Sequence, residues 1–127
     1  MPGWRRPWVK FWVNECLDGT VREELESDER GVWYDLILIS ARGRTPGVIS
    51  ANETQSISRQ RLAGILNIPL ELLERTLKKT EKQKRIVIDK NGLIHILNWS
   101  KYQSEYQRQK KYRKKGALQA HDKAGQF

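Results

Sequence analysis

A single cysteine, Cys16, and two histidines, His95 and His121, are all the thiol and imidazole chemistry in these 127 residues. One thiol cannot form an intramolecular disulfide, and three such ligands cannot close a thiolate metal cage. A reducing cytoplasm is the expected setting. A long apolar run is also missing: behind Met1-Pro-Gly-Trp-Arg-Arg6 nothing reads as a signal peptide or membrane span, so no membrane partner is expected. No glycine-rich phosphate loop precedes a helix, and no histidine is placed to activate Cys16. The acidic pairs Glu23-Glu24 and Asp28-Glu29 are explained as helix starts without invoking a cation. The expectation is a protein with no enzymatic activity, no cofactor and no metal. Its length suits one modest hydrophobic core.

Basic charge, by contrast, is abundant and unevenly placed. The net charge is +9, yet residues 1–50 hold 7 basic and 8 acidic side chains, residues 51–100 hold 9 and 5, and residues 101–127 hold 8 and 2. A positive field growing towards the C-terminus points to a polyanion, with nucleic acid ahead of an acidic membrane surface.

Trp8-Val9-Lys10-Phe11-Trp12-Val13 has the make-up of a short strand, with Val9, Phe11 and Val13 inward. Thr20-Val-Arg-Glu23 fits a capping box opening a short helix. Ser27 reads as the N-cap of a longer helix reaching about Arg42, with Val32, Trp33, Leu36, Ile37 and Ser40 on its buried stripe. Turn formers break it before a short extended piece, Val48-Ile49. Ser58 caps a helix whose apolar face is Leu62, Ala63, Ile65 and Leu66, and Asn67-Ile68-Pro69 separates it from a second helix with Leu70, Leu73 and Leu77 as its inward seam. Ile86 to Leu97 reads as a hairpin. A three-residue Lys90-Asn91-Gly92 loop opposes Ile88 to Ile94 and Ile86 to Ile96, which sends Val87, Asp89 and His95 to the other face. Trp99, Tyr102 and Tyr106 follow one face of a last helix, after which Gly116 to Phe127 is expected to be disordered.

The resulting expectation is an α+β, mostly helical winged helix-turn-helix, with a two-stranded wing, a short N-terminal strand and a C-terminal basic helix. Residues 1–7 form a tail, 8–107 the domain, and 108–127 a basic arm and tail. On the second helix of the pair, Arg75, Lys79 and Lys82 fall opposite the leucine seam with Lys78 beside them, a basic face suited to DNA phosphates. The plainer explanation is a solvated helix laced by Glu71–Arg75 and Glu74–Lys78 pairs. Glu71 and Glu74, near the helix start, argue against dense guanine contacts. Arg59 and Arg61 open the first helix of the pair, where amides also point at a phosphate; a solvated first turn explains them equally. Lys90 tips the wing, while Asn91 serves the turn. In the arm, Arg108, Lys110, Lys111, Arg113, Lys114 and Lys115 surround Tyr112, which can stack on an unpaired base; the alternative is a solubilising tail. Trp33 and Trp99 belong to the core. Trp4, Trp8 and Trp12 mark a surface for self-association, with a homodimer as the simplest product.

The order of these elements, and above all Ile94-His-Ile-Leu-Asn-Trp-Ser-Lys-Tyr-Gln103 followed by Arg/Lys-rich sequence, resembles the N-terminal domain of phage replisome organizers, relatives of the DnaD primosomal proteins. The Trp8-Val-Lys-Phe11 segment, the Leu62-Ala63 to Ile68-Pro69 region and Asn91-Gly92 extend the resemblance over roughly Trp8 to Lys115. It implies a winged helix binding duplex DNA at a phage or plasmid origin, self-association, and contacts with host helicase-loading proteins. Many members continue into a second helical domain, which this sequence does not include; a short member or a piece of a longer protein both fit. A winged-helix transcriptional regulator, or an interaction module using the tryptophan-rich region and no DNA, are the alternative readings.

Overall fold

Acidic helix starts and basic helix ends decide how this chain closes on itself. The computed structural model describes residues 8–52 and 54–103. Along it run α1 (Val13–Asp18), α2 (Thr20–Glu24), α3 (Ser27–Arg42), β1 (Val48–Ile49), α4 (Arg59–Leu66), α5 (Leu70–Lys82), β2 (Ile86–Ile88), β3 (Ile94–Ile96) and α6 (Trp99–Gln103). The expected α+β, mostly helical class holds. None of the described helices is long and apolar enough to cross a membrane. The expected domain ends within sequence outside the described residues, as do Tyr106, the arm and the tails.

The three strands form an antiparallel sheet in the order β1-β3-β2. The hairpin has the expected register, Ile86 opposite Ile96, Val87 opposite His95 and Ile88 opposite Ile94. Gly92, at φ 87°, occupies the left-handed position of the loop. The third strand is not the expected one. Val48–Ile49 pairs with β3, Val48 opposite His95 and Ile49 opposite Ile94. Trp8–Val13 is no strand: the Gln103 side chain accepts from Lys10 N at 2.8 Å and donates to Lys10 O at 2.8 Å. That amide gives strand-like pairing to one residue, and α1 begins at once, with Cys16 N donating to Trp12 O. Period-two burial therefore fails, leaving Phe11 and Val13 exposed.

Two caps also sit one residue from their expected places. Gly19, not Thr20, precedes α2, and Thr20 Oγ1 accepts instead from Arg85. Glu26, not Ser27, caps α3 through a box with Glu29. Glu29 thereby stands at N3, where its Oε1 accepts from Glu26 N at 2.8 Å. Ser58 does cap α4, accepting from Arg61 N at 3.1 Å.

The core is one cluster. Val21, Leu25, Val32, Trp33 and Leu36 meet Ile49, Ile57, Leu62, Ala63, Leu73, Leu77 and the hairpin isoleucines Ile86, Ile94 and Ile96. Ile65, expected inward with Leu62, is instead 45% exposed. Thr76 and Thr80, wholly buried on α5, donate to carbonyls of their own helix, Leu72 O and Thr76 O, at 2.8 Å each. Their hydroxyls thus remain satisfied inside the core. After α5 the chain reverses with Lys84 at φ 62°, Arg85 N donating to Thr80 O and Lys84 N to Glu81 O. A left-handed residue with a Cβ is costly where glycine is not, so Lys84→Gly should raise the unfolding free energy by about 0.5–1 kcal/mol, read by urea titration.

Candidate nucleic-acid interface

The cations of α5 divide into two sets with different neighbours. Arg75 Nε donates to Glu29 Oε2 and its Nη2 to Asp28 Oδ2, each at 2.8 Å, and Lys79 Nζ donates to Glu29 Oε1 at 2.8 Å. Glu26 lies 3.9 Å from the Lys79 ammonium. Glu29 is fully buried, while Arg75 keeps 43% and Lys79 37% of side-chain exposure. Burial pushes the Glu29 carboxyl up, yet the hydrogen bonds from Lys79, the Glu26 amide and Arg75 outweigh it and hold the group below its ordinary value of 4.5. Asp28 and Glu29, which helix-dipole reasoning explained, are thus counter-ions of α5, and two members of the expected basic face are tied to α3. Arg85 behaves likewise, reaching Glu24 Oε1 at 2.8 Å, Thr20 Oγ1 at 3.0 Å and Gln83 Oε1 at 2.8 Å. Sequence reasoning missed these ion pairs because they span 46 to 61 positions. The available signal was the excess of acids over bases in residues 1–50 beside the surplus of bases that follows.

The second set stays open. Lys78 and Lys82 on α5, Arg61 on α4 and Lys90 at the hairpin tip are exposed, and Arg59 is partly so. None of these five forms an ion pair among the described residues, and neither expected pair, Glu71–Arg75 or Glu74–Lys78, forms. The hairpin tip adjoins the segment leading into α4: a Cβ on Gly92 would lie 2.9 Å from Ser56 Cβ and Oγ. The Gly92 end of the hairpin loop thereby sits against Ser56, three residues before the helix that holds Arg59 and Arg61. Arg108, Lys110, Lys111, Tyr112, Arg113, Lys114 and Lys115 lie outside the described residues.

Asp89 fixes the tip from within. Its Oδ1 accepts from Asn91 N at 2.9 Å and Leu93 N at 3.0 Å, and its Oδ2 lies 2.8 Å from His95 Nε2. His95, then Leu93 and Asn91, hold the Asp89 carboxyl below its ordinary value against the opposing effect of burial. Asp89→Ala should leave two amides unpaired, and their hydrogen exchange should quicken by about tenfold or more without global unfolding. Unchanged exchange at Asn91 and Leu93 would refute this role.

The tryptophans also separate. Trp12 is turned inward, its indole N–H donating to Tyr102 O at 3.1 Å and its ring edge-on to Tyr102. It is half-buried, and the strand alternation expected to turn it outward is absent. Trp8 is 49% exposed and lines a cleft of about 360 Å³ with Leu38 and Ile65, both also exposed. Trp4 lies outside the described residues.

A family model described as N-terminal phage replisome organiser matches residues 21–124. No curated protein and no solved structure matches the chain. The match spans α2 through α6 and continues through the basic sequence beyond them. The chain belongs to the N-terminal phage replisome organiser family.

Proposed function

We propose that this protein is a replication-initiation factor without catalytic activity, which binds duplex DNA at an origin through a winged helix and a basic arm. Membership of the replisome organiser family supports a replication-related role. The winged-helix reading is supported by the order α3-β1-α4-α5-β2-β3 and by the sheet order β1-β3-β2. One observation carries the DNA-binding reading: Arg59, Arg61, Lys78, Lys82 and Lys90, on α4, α5 and the hairpin tip, form no ion pair among the described residues, whereas Arg75, Lys79 and Arg85 are compensated internally. Uncompensated cations are the ones whose phosphate contacts release counterions without first breaking an internal bond. The six cations between Arg108 and Lys115 add sequence-independent affinity, and Tyr112 can stack on an unpaired base.

Self-association completes the proposal. Exposed Trp8, Leu38 and Ile65 form an apolar patch suited to a second copy. A set of copies on an origin is the platform that host helicase-loading proteins would meet. Sedimentation should show Leu38→Lys shifting an oligomer towards monomer; a wild-type monomer at high concentration would refute self-association.

The test of DNA binding is fluorescence anisotropy of labelled duplex over a salt series. Replacing Arg108, Lys110, Lys111, Arg113, Lys114 and Lys115 with glutamine should reduce the slope of log affinity against log salt by up to about 5, leaving weaker binding by the folded part. Lys82→Ala should reduce it by about 1. Absence of binding at low salt would refute the proposal in favour of an interaction module.

A further inference from the structure

Withdrawal of Arg75 and Lys79 towards α3 changes what α5 offers to a partner. Glu71, Glu74, Lys78 and Lys82 are all exposed. At 100° per residue they fall on one ridge, opposite buried Leu73 and Leu77. None of the four hydrogen-bonds or ion-pairs through its side chain with a described residue. The first two turns of the ridge present carboxylates, and the later turns present ammonium groups.

We infer that this ridge reads cytosine–guanine pairs in the major groove, Glu71 and Glu74 accepting from cytosine N4 amino groups and Lys78 donating to guanine O6 and N7. The inference rests on the DNA-binding reading above. Carboxylates on a helix laid against DNA are repelled by phosphates and by most base-edge atoms, which are acceptors. Only two major-groove donors exist, adenine N6 and cytosine N4. Adenine sets its N7 acceptor beside N6, opposing a second carboxylate lone pair, whereas cytosine carries no acceptor on its own groove edge. Thymine offers O4 and a methyl group, both unfavourable to a carboxylate. The neighbouring ammonium suits the other half of the pair, since guanine O6 and N7 are acceptors. Spacing agrees: three residues of helix rise about 4.5 Å and base pairs are about 3.4 Å apart, so Glu71 and Glu74 reach adjacent steps. Lys82, one turn beyond Lys78, lies where a phosphate is met.

The test selects full-length protein, wild type, Glu71→Gln and Glu74→Gln, on a randomised duplex library. Anisotropy follows on the enriched duplex and on versions with single C·G pairs changed to T·A. Wild type should enrich cytosine at two positions and lose about tenfold in affinity at each change. Each glutamine variant should lose that preference at one position and accept adenine there, because a carboxamide both donates and accepts. Its salt slope should be unchanged. If both variants enrich the wild-type sequence and merely bind every duplex more tightly, the carboxylates only repel and the inference is overturned. Duplex binding by wild type with no base preference overturns it too, leaving the DNA-binding reading intact. No duplex binding at low salt overturns both.

Discussion

Glu29→Ala should lower the unfolding free energy by about 3 kcal/mol and Glu29→Gln by about 2 kcal/mol, measured by urea titration near neutral pH. The carboxylate is wholly buried and accepts from the Glu26 amide and from Arg75 and Lys79 at 2.8 Å each. Alanine removes all three bonds and leaves a small void. Glutamine keeps an acceptor for the amide and most of the volume. Breaking a buried ion pair costs about 3–5 kcal/mol when the remaining charge stays buried. Here Arg75 and Lys79 are about two-fifths exposed and regain water, which lowers the expected loss. The pH dependence separates this account from simple loss of packing. The folded Glu29 carboxyl is held below its unfolded value, so the unfolded chain binds more protons in the range between them. Its stabilisation is complete above the ordinary value of 4.5 and is lost as pH falls through the lowered folded value. The gap between wild type and Glu29→Gln should therefore narrow as acid is added. A gap that stays constant would show that the charge contributes nothing.

Gly47→Ala is expected to cost about 3–5 kcal/mol, enough to lower the melting temperature by about 15 °C or more. Gly47 lies at φ 91°, and a Cβ there would stand 2.7 Å from Trp99 Cγ and 3.0 Å from Trp99 Cβ. Neither side can yield easily. Gly47 N donates to Ser40 O at 3.1 Å and Gly47 O accepts from Ile96 N at 2.8 Å, so the glycine ties the end of α3 to β3. Trp99 in turn starts α6, whose Gln103 anchors Lys10. Thermal unfolding followed by circular dichroism, with tryptophan fluorescence alongside, measures the effect. A loss below about 1 kcal/mol would show that the indole does not rest on Gly47.

The Asn98-Trp99 to Tyr102-Gln103 segment acquires a physical meaning from these contacts. Asn98 adopts φ 61°, a left-handed conformation that asparagine tolerates better than most residues. Trp99 fills the space over Gly47, and Gln103, 4% exposed, pairs with the backbone of Lys10. The segment is a closing element, and the sequence that follows it carries the basic charge.

Much of the fold follows from local pattern. The buried stripe of α3 and the Leu73–Leu77 seam of α5 obey helical spacing, and the hairpin register follows from keeping isoleucines on one side and glycine where φ is positive. Ser58 caps α4 because a hydroxyl there satisfies an amide no helix carbonyl can reach. The uneven charge that points to a polyanion is likewise a property of the linear chain. Three-dimensional packing decided the rest. Whether Arg75 faces a phosphate or Glu29 depends on where α3 lies against α5, and helix periodicity carries no information about that distance. Whether Trp8–Val13 is a strand depends on whether a sheet edge is offered to it; a glutamine side chain came instead, and β1 took the place beside β3. Local sequence thus determined the helices from α2 to α6, the hairpin and the sign of the surface, because propensity, capping and period act over a few residues. The free members of the candidate interface were decided by tertiary structure, because ion pairs spanning some fifty positions exist only once the chain has closed.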